Sequence, residues 1–282
     1  MVEQIREYPI TKEVFSKINR LAGRDIFSIA LEGPEDVLRE SLVAQLSVFG
    51  TSICYWHLLS ASADFQGLAG HSLGFYSALY AASSISLDDC IRIIINVYEA
   101  IEETTEGSAG LMAAVIGLKI NELEEICRNT GKVYISNINS ATQIVLSGAS
   151  EDVRNACRKA LDRGALQCRE LSIPFPLHSP LMHGIEKKLK PFVKALEIKK
   201  PSIPVISHMD SRPLDQKDIE DLICGQLTRT VMWKDTVTCF TAAGINRFLE
   251  IGPSDVLSKL VRWIARDAVS LNAVEALNCQ SV

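Results

Sequence analysis

The chain has 282 residues, 47% of them hydrophobic and 22% charged, and 34 acidic against 29 basic side chains leave a formal net charge of −5. A chain of this length buries roughly three-quarters of its unfolded surface, so it needs no disulfide or metal to hold a core, and its apolar content excludes disorder. Mild acidity with scattered Lys and Arg excludes a surface dedicated to nucleic acid or anionic membrane.

In chain order, residues 1–60 read as helices. The longest runs from Glu35 to Ala61, where Leu38, Leu42, Leu46, Phe49 and Ile53 recur at three- and four-residue steps. Phe65 to Ala69 is a short strand candidate, Gly70-His71-Ser72-Leu73-Gly74 a tight turn, and the Ala-rich stretch from Phe75 to Ser83 a helix. Ser86 and Asp89 form a capping box ahead of a second helix. Its Ile91, Ile94, Ile95, Val97, Tyr98 and Ile101 cover more than one face, so that helix is expected to be buried. Between 110 and 173 the pattern becomes strand, helix, strand, strand, helix, strand, the βαββαβ order of a compact inserted subdomain. A Pro-rich loop follows, then a helix from Ile185 to Leu196 and a strand over 203–207. Helices from Asp218 to Leu227 and from Asp235 to Ala243 precede a last strand that starts at Arg247 and turns at Pro253.

Helices alternating with isolated strands predict an α/β fold whose mostly parallel sheet is covered on both faces. The expected organisation is a large domain built from 1–109 and 174–268, an inserted subdomain over 110–173, and a loosely tied tail over 269–282. The eight cysteines include no C-x-x-C pair and none has a His or second Cys at ligand spacing, so they read as reduced thiols and no metal site is expected. No run of about 18 apolar residues is apparent and the N-terminus lacks the apolar core of a signal peptide, so a soluble, cytoplasmic protein is expected.

A serine between two glycines, after a strand and before a helix, has the arrangement of a nucleophile elbow. The turn lifts the Ser72 hydroxyl above the sheet and aims the Leu73 N–H at the place where an oxyanion would form. Serine is a weak nucleophile and needs a base, and the chain offers five histidines. His71 lies inside the turn, His57 belongs to the helical N-terminal part, and His183 and His208 read as structural or surface residues. His178, on the loop from Pro176 to Met182 where the chain leaves the subdomain, opens onto the cleft between the two parts and is the predicted base. Lys187, Lys190 and Lys194 share one helical face just beyond it, which reads as a solvated face or as a docking patch for an acidic carrier protein. Asn137, Asn139 and Gln143 read either as cleft lining or as ordinary turn residues.

The segments GHSLG with its Ser-Ala-Leu helix, GLMAAVIGL, SNINSATQIVLSG, LHSPLM and FLEIGPSDVL follow one another in this order. Together, over about Tyr8 to Ala268, they resemble the malonyl-CoA:acyl-carrier-protein transacylases and the acyltransferases of polyketide synthases. The resemblance implies an α/β-hydrolase-like large domain carrying Ser72 and a ferredoxin-like subdomain walling the cleft. It also implies a Ser–His dyad whose imidazole is oriented by a backbone carbonyl, and ping-pong acyl transfer through an acyl-serine. No cofactor is implied: acyl-CoA or the phosphopantetheine of an acyl carrier protein is the substrate, and that carrier protein is the expected partner.

Two departures qualify the match. Family members open with an apolar strand and a G-Q-G-x-Q loop that supplies a second oxyanion donor, whereas this sequence starts with MVEQIREYPITKEVF, which resembles the helix after that loop. Losing one oxyanion donor costs on the order of 10²–10³ in rate, and losing a central strand exposes the edges of its neighbours. Malonyl-specific members also carry an Arg followed by Gly on the helix after the elbow, a fork that grips the free carboxylate. An ungapped register puts Val97 and Tyr98 there. With Ile101 and Leu177 they form the expected acyl pocket, in which a buried malonyl carboxylate lacks a partner. The resulting expectation is a stand-alone non-malonyl acyltransferase or acyl-carrier-protein hydrolase of polyketide or fatty-acid biosynthesis, resembling the members without the carboxylate-binding Arg. Ordinary malonyl transfer, or a truncated non-catalytic module that binds a carrier protein, are the alternatives.

Overall fold

The computed structural model describes residues 2–106 and 109–280. Helix α1 (Pro9–Ala22) starts on a proline, whose missing N–H goes unused in a first turn, and stops at Gly23, left-handed at φ 64° with its N–H on the Asn19 carbonyl. Helices α2 (Ile26–Glu32) and α3 (Glu35–Leu38) follow, and α4 (Ser41–Leu59) runs through the core with Leu46, Phe49 and Ile53 fully buried. A Cβ at Gly50 would sit 2.5 Å from Ile18 Cδ1, so this glycine is what lets α1 lie against α4. The single helix expected from Glu35 is thus two, because Glu40 takes an extended ψ of 128° and the chain restarts at Ser41. By length and composition α4 also qualifies as a membrane span, which the sequence reading denied; most of it is buried inside the protein, the position of a core helix.

Strand β1 (Leu68–Ala69), α5 (Gly74–Ala81) and α6 (Leu87–Thr104) come next. The predicted cap of α6 is present: Ser86 Oγ accepts from the Asp89 N–H at 3.1 Å and donates to its carboxylate at 2.7 Å. Ile91, Ile94, Val97 and Ile101 are buried, as the wide apolar arc of that helix implied.

Residues 110–170 form the second unit: β2 (Gly110–Ile116), α7 (Ile120–Arg128), β3 (Val133–Ile138), β4 (Gln143–Ala149), α8 (Ser150–Asp162) and β5 (Gln167–Glu170). The four strands pair antiparallel in the order β3-β4-β2-β5. Leu123, Ile126 and Val153 of the helices pack with Leu111, Val115, Ile144 and Leu146 of the strands in a core distinct from that of the main body. The sheet is tied to the main body at the end of β3, where the Val231 N–H donates to Ser136 O and the Ile138 N–H to Val231 O, both at 2.8 Å.

The chain returns through α9 (Ile185–Val193), β6 (Val205–Ile206), α10 (Gln216–Gly225), α11 (Trp233–Ala242), β7 (Arg247–Glu250), α12 (Val256–Ile264), β8 (Val269–Asn272) and α13 (Ala273–Gln280). Strand β6 pairs parallel with β1, and β8 pairs parallel with β7. The fold is α/β and its main-body strand pairs are parallel, but among the described residues the two pairs are not joined into one sheet. The loose tail expected over 269–282 is corrected for its described part. Val269 to Asn272 continue the β7 edge, Arg262 donates to Ser270 O at 2.9 Å, and Asn272 and Glu275 cap each other at the start of α13. Four residues of strand are too short a run for periodicity to reveal.

Candidate active site

Strand β1 ends at the Gly70–Gly74 turn, and the turn geometry explains its sequence. A Cβ on Gly70 would lie 2.0 Å from the Gly74 carbonyl carbon and oxygen, so only glycine fits at the first position. A Cβ on Gly74 would meet nothing within 4 Å, so the close approach of the two backbones requires glycine at 70 and not at 74. Between them Ser72 adopts φ 51°, a left-handed conformation unfavourable for a side-chain-bearing residue, and thereby projects its hydroxyl from the turn. The Leu73 N–H, just ahead of α5, has no hydrogen-bond partner among the described residues, while the next three N–H groups bond back to His71, Ser72 and Leu73 carbonyls.

Ser72 Oγ and His178 Nε2 are 2.8 Å apart. On the far side of the ring, Nδ1 lies 3.0 Å from Gln226 O and 3.2 Å from Arg229 O. Carbonyls only accept, so Nδ1 carries the proton, and Nε2 of the neutral ring is left to accept from the Ser72 hydroxyl. His178 is 2% exposed and itself left-handed at φ 57°. Its loop is pinned by Ser179 Oγ, which donates to Pro176 O at 2.5 Å and accepts from the Leu181 N–H, and Gly110 passes so close to Pro176 that a Cβ there would strike it at 2.3 Å. Burial pushes the His178 imidazole down to about 4, against the opposing pull of the two carbonyls, so it is neutral at physiological pH.

A residue that sequence reasoning missed holds this arrangement. The Gln226 side chain is buried, with Nε2 donating to the Tyr76 hydroxyl at 2.7 Å and Oε1 accepting from His208 Nε2 at 3.2 Å. The carbonyl that receives His178 therefore sits on a residue clamped at both ends of its amide. No motif marks Gln226, because a backbone carbonyl can come from any residue; only the fold shows which one. His208, read as structural or surface, is fully buried and lies against the Phe75 ring. Burial, with His178 and His71 nearby, drives its imidazole well below the ordinary histidine range.

The acyl transferase domain family matches residues 13–276 of this chain. The chain belongs to that acyltransferase family. Among curated relatives, the malonyl CoA-acyl carrier protein transacylase of Bacillus subtilis (strain 168) is 32% identical over 272 residues, spanning 94% of this chain and 85% of its own length. The transacylase of Salmonella typhimurium is 28% identical over 286 residues, spanning 99% and 93%. Among solved structures, the malonyl CoA-acyl carrier protein transacylase of Coxiella burnetii superposes with a TM-score of 0.92 at 28% identity, covering 97% of this chain and 90% of that one. A malonyl-transacylase solved in complex with its type II polyketide-synthase acyl-carrier protein gives a TM-score of 0.93 at 27% identity, covering 99% and 94%.

The remaining predicted residues of this acyltransferase divide in two groups. Val97 (3% exposed) and Ile101 lie in the main core on α6, and Leu177, next to His178, packs against the same core. Tyr98 is half-buried, its ring edge-on to Phe175 at 6.3 Å and its hydroxyl donating to Glu102 at 2.5 Å. Burial and that carboxylate push the phenol up to about 12. Lys187, Lys190 and Lys194 are exposed and make no ion pair among the described residues; Lys188, on the same helix, is the one that pairs, with Glu103. His71 faces away from Ser72 in its interactions, with Nε2 at 3.0 Å from Asn139 Oδ1 and its ring edge-on to Trp233. Asn139 thus bridges the subdomain to the elbow, a role its position in a turn between strands left open. Among the described residues no cluster of His, Cys, Asp or Glu is arranged to hold a metal.

Proposed function

We propose that this acyltransferase moves an acyl group from a thioester to the thiol of an acyl carrier protein through an acyl-serine at Ser72. The observation that carries the reading is the 2.8 Å hydrogen bond between Ser72 Oγ and a buried, neutral His178. In the first half-reaction Nε2 takes the hydroxyl proton as Oγ attacks the thioester carbonyl, and the Leu73 N–H, preset at the head of α5, faces the developing oxyanion. The imidazolium then returns the proton to the leaving thiolate. The Gln226 and Arg229 carbonyls keep the ring in the required tautomer and favour its charged form in the transition state. In the second half-reaction the carrier thiol gives its proton to the same nitrogen and attacks the ester, and as the bond from the acyl carbon to Ser72 Oγ breaks the imidazolium returns that proton to Oγ. A non-catalytic binding module has no use for such a base, and no observation favours water as acceptor.

Malonyl is the acyl group best supported, since the curated relatives and solved structures above are malonyl transacylases. A second reading, transfer of an uncharged acyl group such as acetyl, is favoured by one observation: Val97 stands on α6 where the resemblance calls for a carboxylate-gripping Arg. The lysine face of α9 is the surface proposed for the acidic carrier protein, and a cytoplasmic location, where free thiols persist, fits both partners. Intact-mass measurement after brief exposure to malonyl-CoA or acetyl-CoA, followed by carrier protein, tests this. Faster malonyl loading with discharge onto the carrier supports the first reading. Faster acetyl loading supports the second, and release of free acid without carrier loading contradicts both.

A further inference from the structure

Two half-buried cysteines meet at the edge of the small sheet, Cys157 on α8 and Cys168 on β5. Their meeting follows from the register between helix and strand. Among the described residues β5 is the outermost strand of its sheet and pairs with β2 alone, Cys168 opposite Val115 and Glu170 opposite Ala113. Val115 and Ala113 are fully buried in the small core, and directly opposed residues of an antiparallel pair point to the same face, so Cys168 and Glu170 both turn toward the helices. On α8, Arg154 and Cys157 are three residues apart and share a face. Arg154 Nε donates to Glu170 Oε1 at 3.0 Å, and beyond the end of the helix the Ala165 N–H donates to Ala160 O at 2.9 Å. Between these two ties the chain runs along the helix and back along the strand. One turn on from Arg154 and two residues before Glu170, the Cys168 thiol lies against the Cys157 sulfur and donates to it.

This pair differs from the other buried thiols. Burial pushes Cys54 up to about 12 and Cys127 and Cys224 up to about 11, which keeps them protonated and unreactive. At Cys157 the Cys168 S–H stabilises the thiolate and holds the group below the ordinary cysteine range, against partial burial and the Glu170 carboxylate. Cys168, the donor, is held above that range by the same contact. A thiolate with a protonated thiol beside it is the arrangement of an attacking and a resolving cysteine. Two thiols alone do not make a metal site, and among the described residues no third His, Cys, Asp or Glu completes one.

We propose that Cys157 and Cys168 are a redox-active pair that hydrogen peroxide closes into a disulfide, stapling the edge strand β5 to α8. Cys157 Sγ attacks one peroxide oxygen, the O–O bond breaks, and the departing hydroxide leaves as water with the Cys157 proton. Cys168 Sγ then attacks the sulfenic sulfur, and the hydroxyl displaced from it leaves as a second water with the Cys168 proton. The two thiols give up two electrons and the peroxide is reduced to two waters. The inference does not rest on the acyl-transfer reading, because its readout is the state of the two sulfurs.

The test treats the full, reduced chain with hydrogen peroxide, blocks the remaining thiols with N-ethylmaleimide and digests without reductant. Trypsin cuts between the two cysteines at Arg158, Lys159 and Arg163, so the disulfide joins the peptide ending at Arg158 to the one ending at Arg169, two hydrogen masses below their sum. That linkage is expected as the first one formed and is lost on adding dithiothreitol. In Cys168→Ser, whose hydroxyl still donates to Cys157, the sulfenic acid on Cys157 should persist and be captured by dimedone about tenfold faster than Cys168 is in Cys157→Ser. Equal capture in the two variants would overturn the proposal. So would a first disulfide between any other cysteines, a linkage between two chains at these two, or sulfinic acid on Cys157 while Cys168 is still alkylated. Both thiols remaining alkylated while glutathione in the same tube is oxidised would overturn it as well.

Discussion

The two sheets of this molecule are built in opposite ways. In the small one, strands of four to seven residues pair antiparallel, β3 with β4 across a short turn where Ile138 faces Ile144 and β2 with both β4 and β5, and the four strands close on two helices with their own core. In the main body the strands are two to four residues long and come as two separate parallel pairs, one of which joins distant parts of the chain: Leu68 meets Val205. Longer ladders and a core of its own let the small sheet set its own register, whereas the short parallel strands are positioned by the helices packed around them. The strained residues of the site, Ser72 and His178, both belong to the main body. The small unit contributes position, through Asn139 and the bonds of Ser136 and Ile138 to Val231 of the main body, rather than reacting groups.

Substitutions should separate the two roles. The largest effect is expected from Ser72→Ala, which should lower acyl loading by on the order of 10⁴-fold or more while circular dichroism and urea unfolding stay as in the parent. Next comes Leu146→Ala, a fully buried side chain of the small sheet: unfolding in urea should show a loss of about 2–5 kcal/mol, with loading per folded molecule retained. The elbow glycines should part company. Gly70→Ala drives a methyl group into the Gly74 backbone and should cost both stability and loading, whereas Gly74→Ala meets empty space and should be tolerated in both assays. Gln226→Ala, which frees the carbonyl under His178 and leaves Tyr76 and His208 unpartnered, should slow loading about tenfold to 100-fold, in line with the ~1–3 kcal/mol of a broken buried hydrogen bond.

The smallest expected effect is on pH dependence. With His178 at about 4 in the fold and histidine near 6.5 when unfolded, loading should stay level as pH falls from 8 to about 5.5 and drop only toward 4. Between those two values the unfolded chain holds a proton that the folded chain does not. This histidine's contribution therefore lowers stability as pH falls through that window and is constant above it. A loading midpoint near 6.5 would show that the ring is solvated.

Local chemistry was readable in the sequence, and long-range closure was not. The cap at Ser86, the order of elements in 110–173 and the elbow at Gly70 to Gly74 each depend on neighbours a few residues apart, where spacing carries the information. His178 was reachable because it is the one histidine on the loop leaving the subdomain. Gln226, His208 and Tyr76 lie 48, 30 and 102 residues from it in sequence and meet only in the folded main body. The break at Glu40 and the strand at Val269 were missed for a different reason. One is set by a single backbone ψ inside an unbroken apolar pattern, the other by pairing to β7.

The central claim is that Ser72, activated by His178, carries the acyl group. Its most direct test is proteolytic mapping by mass spectrometry of protein quenched with acid after seconds of exposure to malonyl-CoA or acetyl-CoA. The account predicts one acyl group, on the peptide that contains Ser72, absent from Ser72→Ala and strongly reduced in His178→Ala. A label on any other residue, or undiminished labelling of Ser72→Ala, would contradict it.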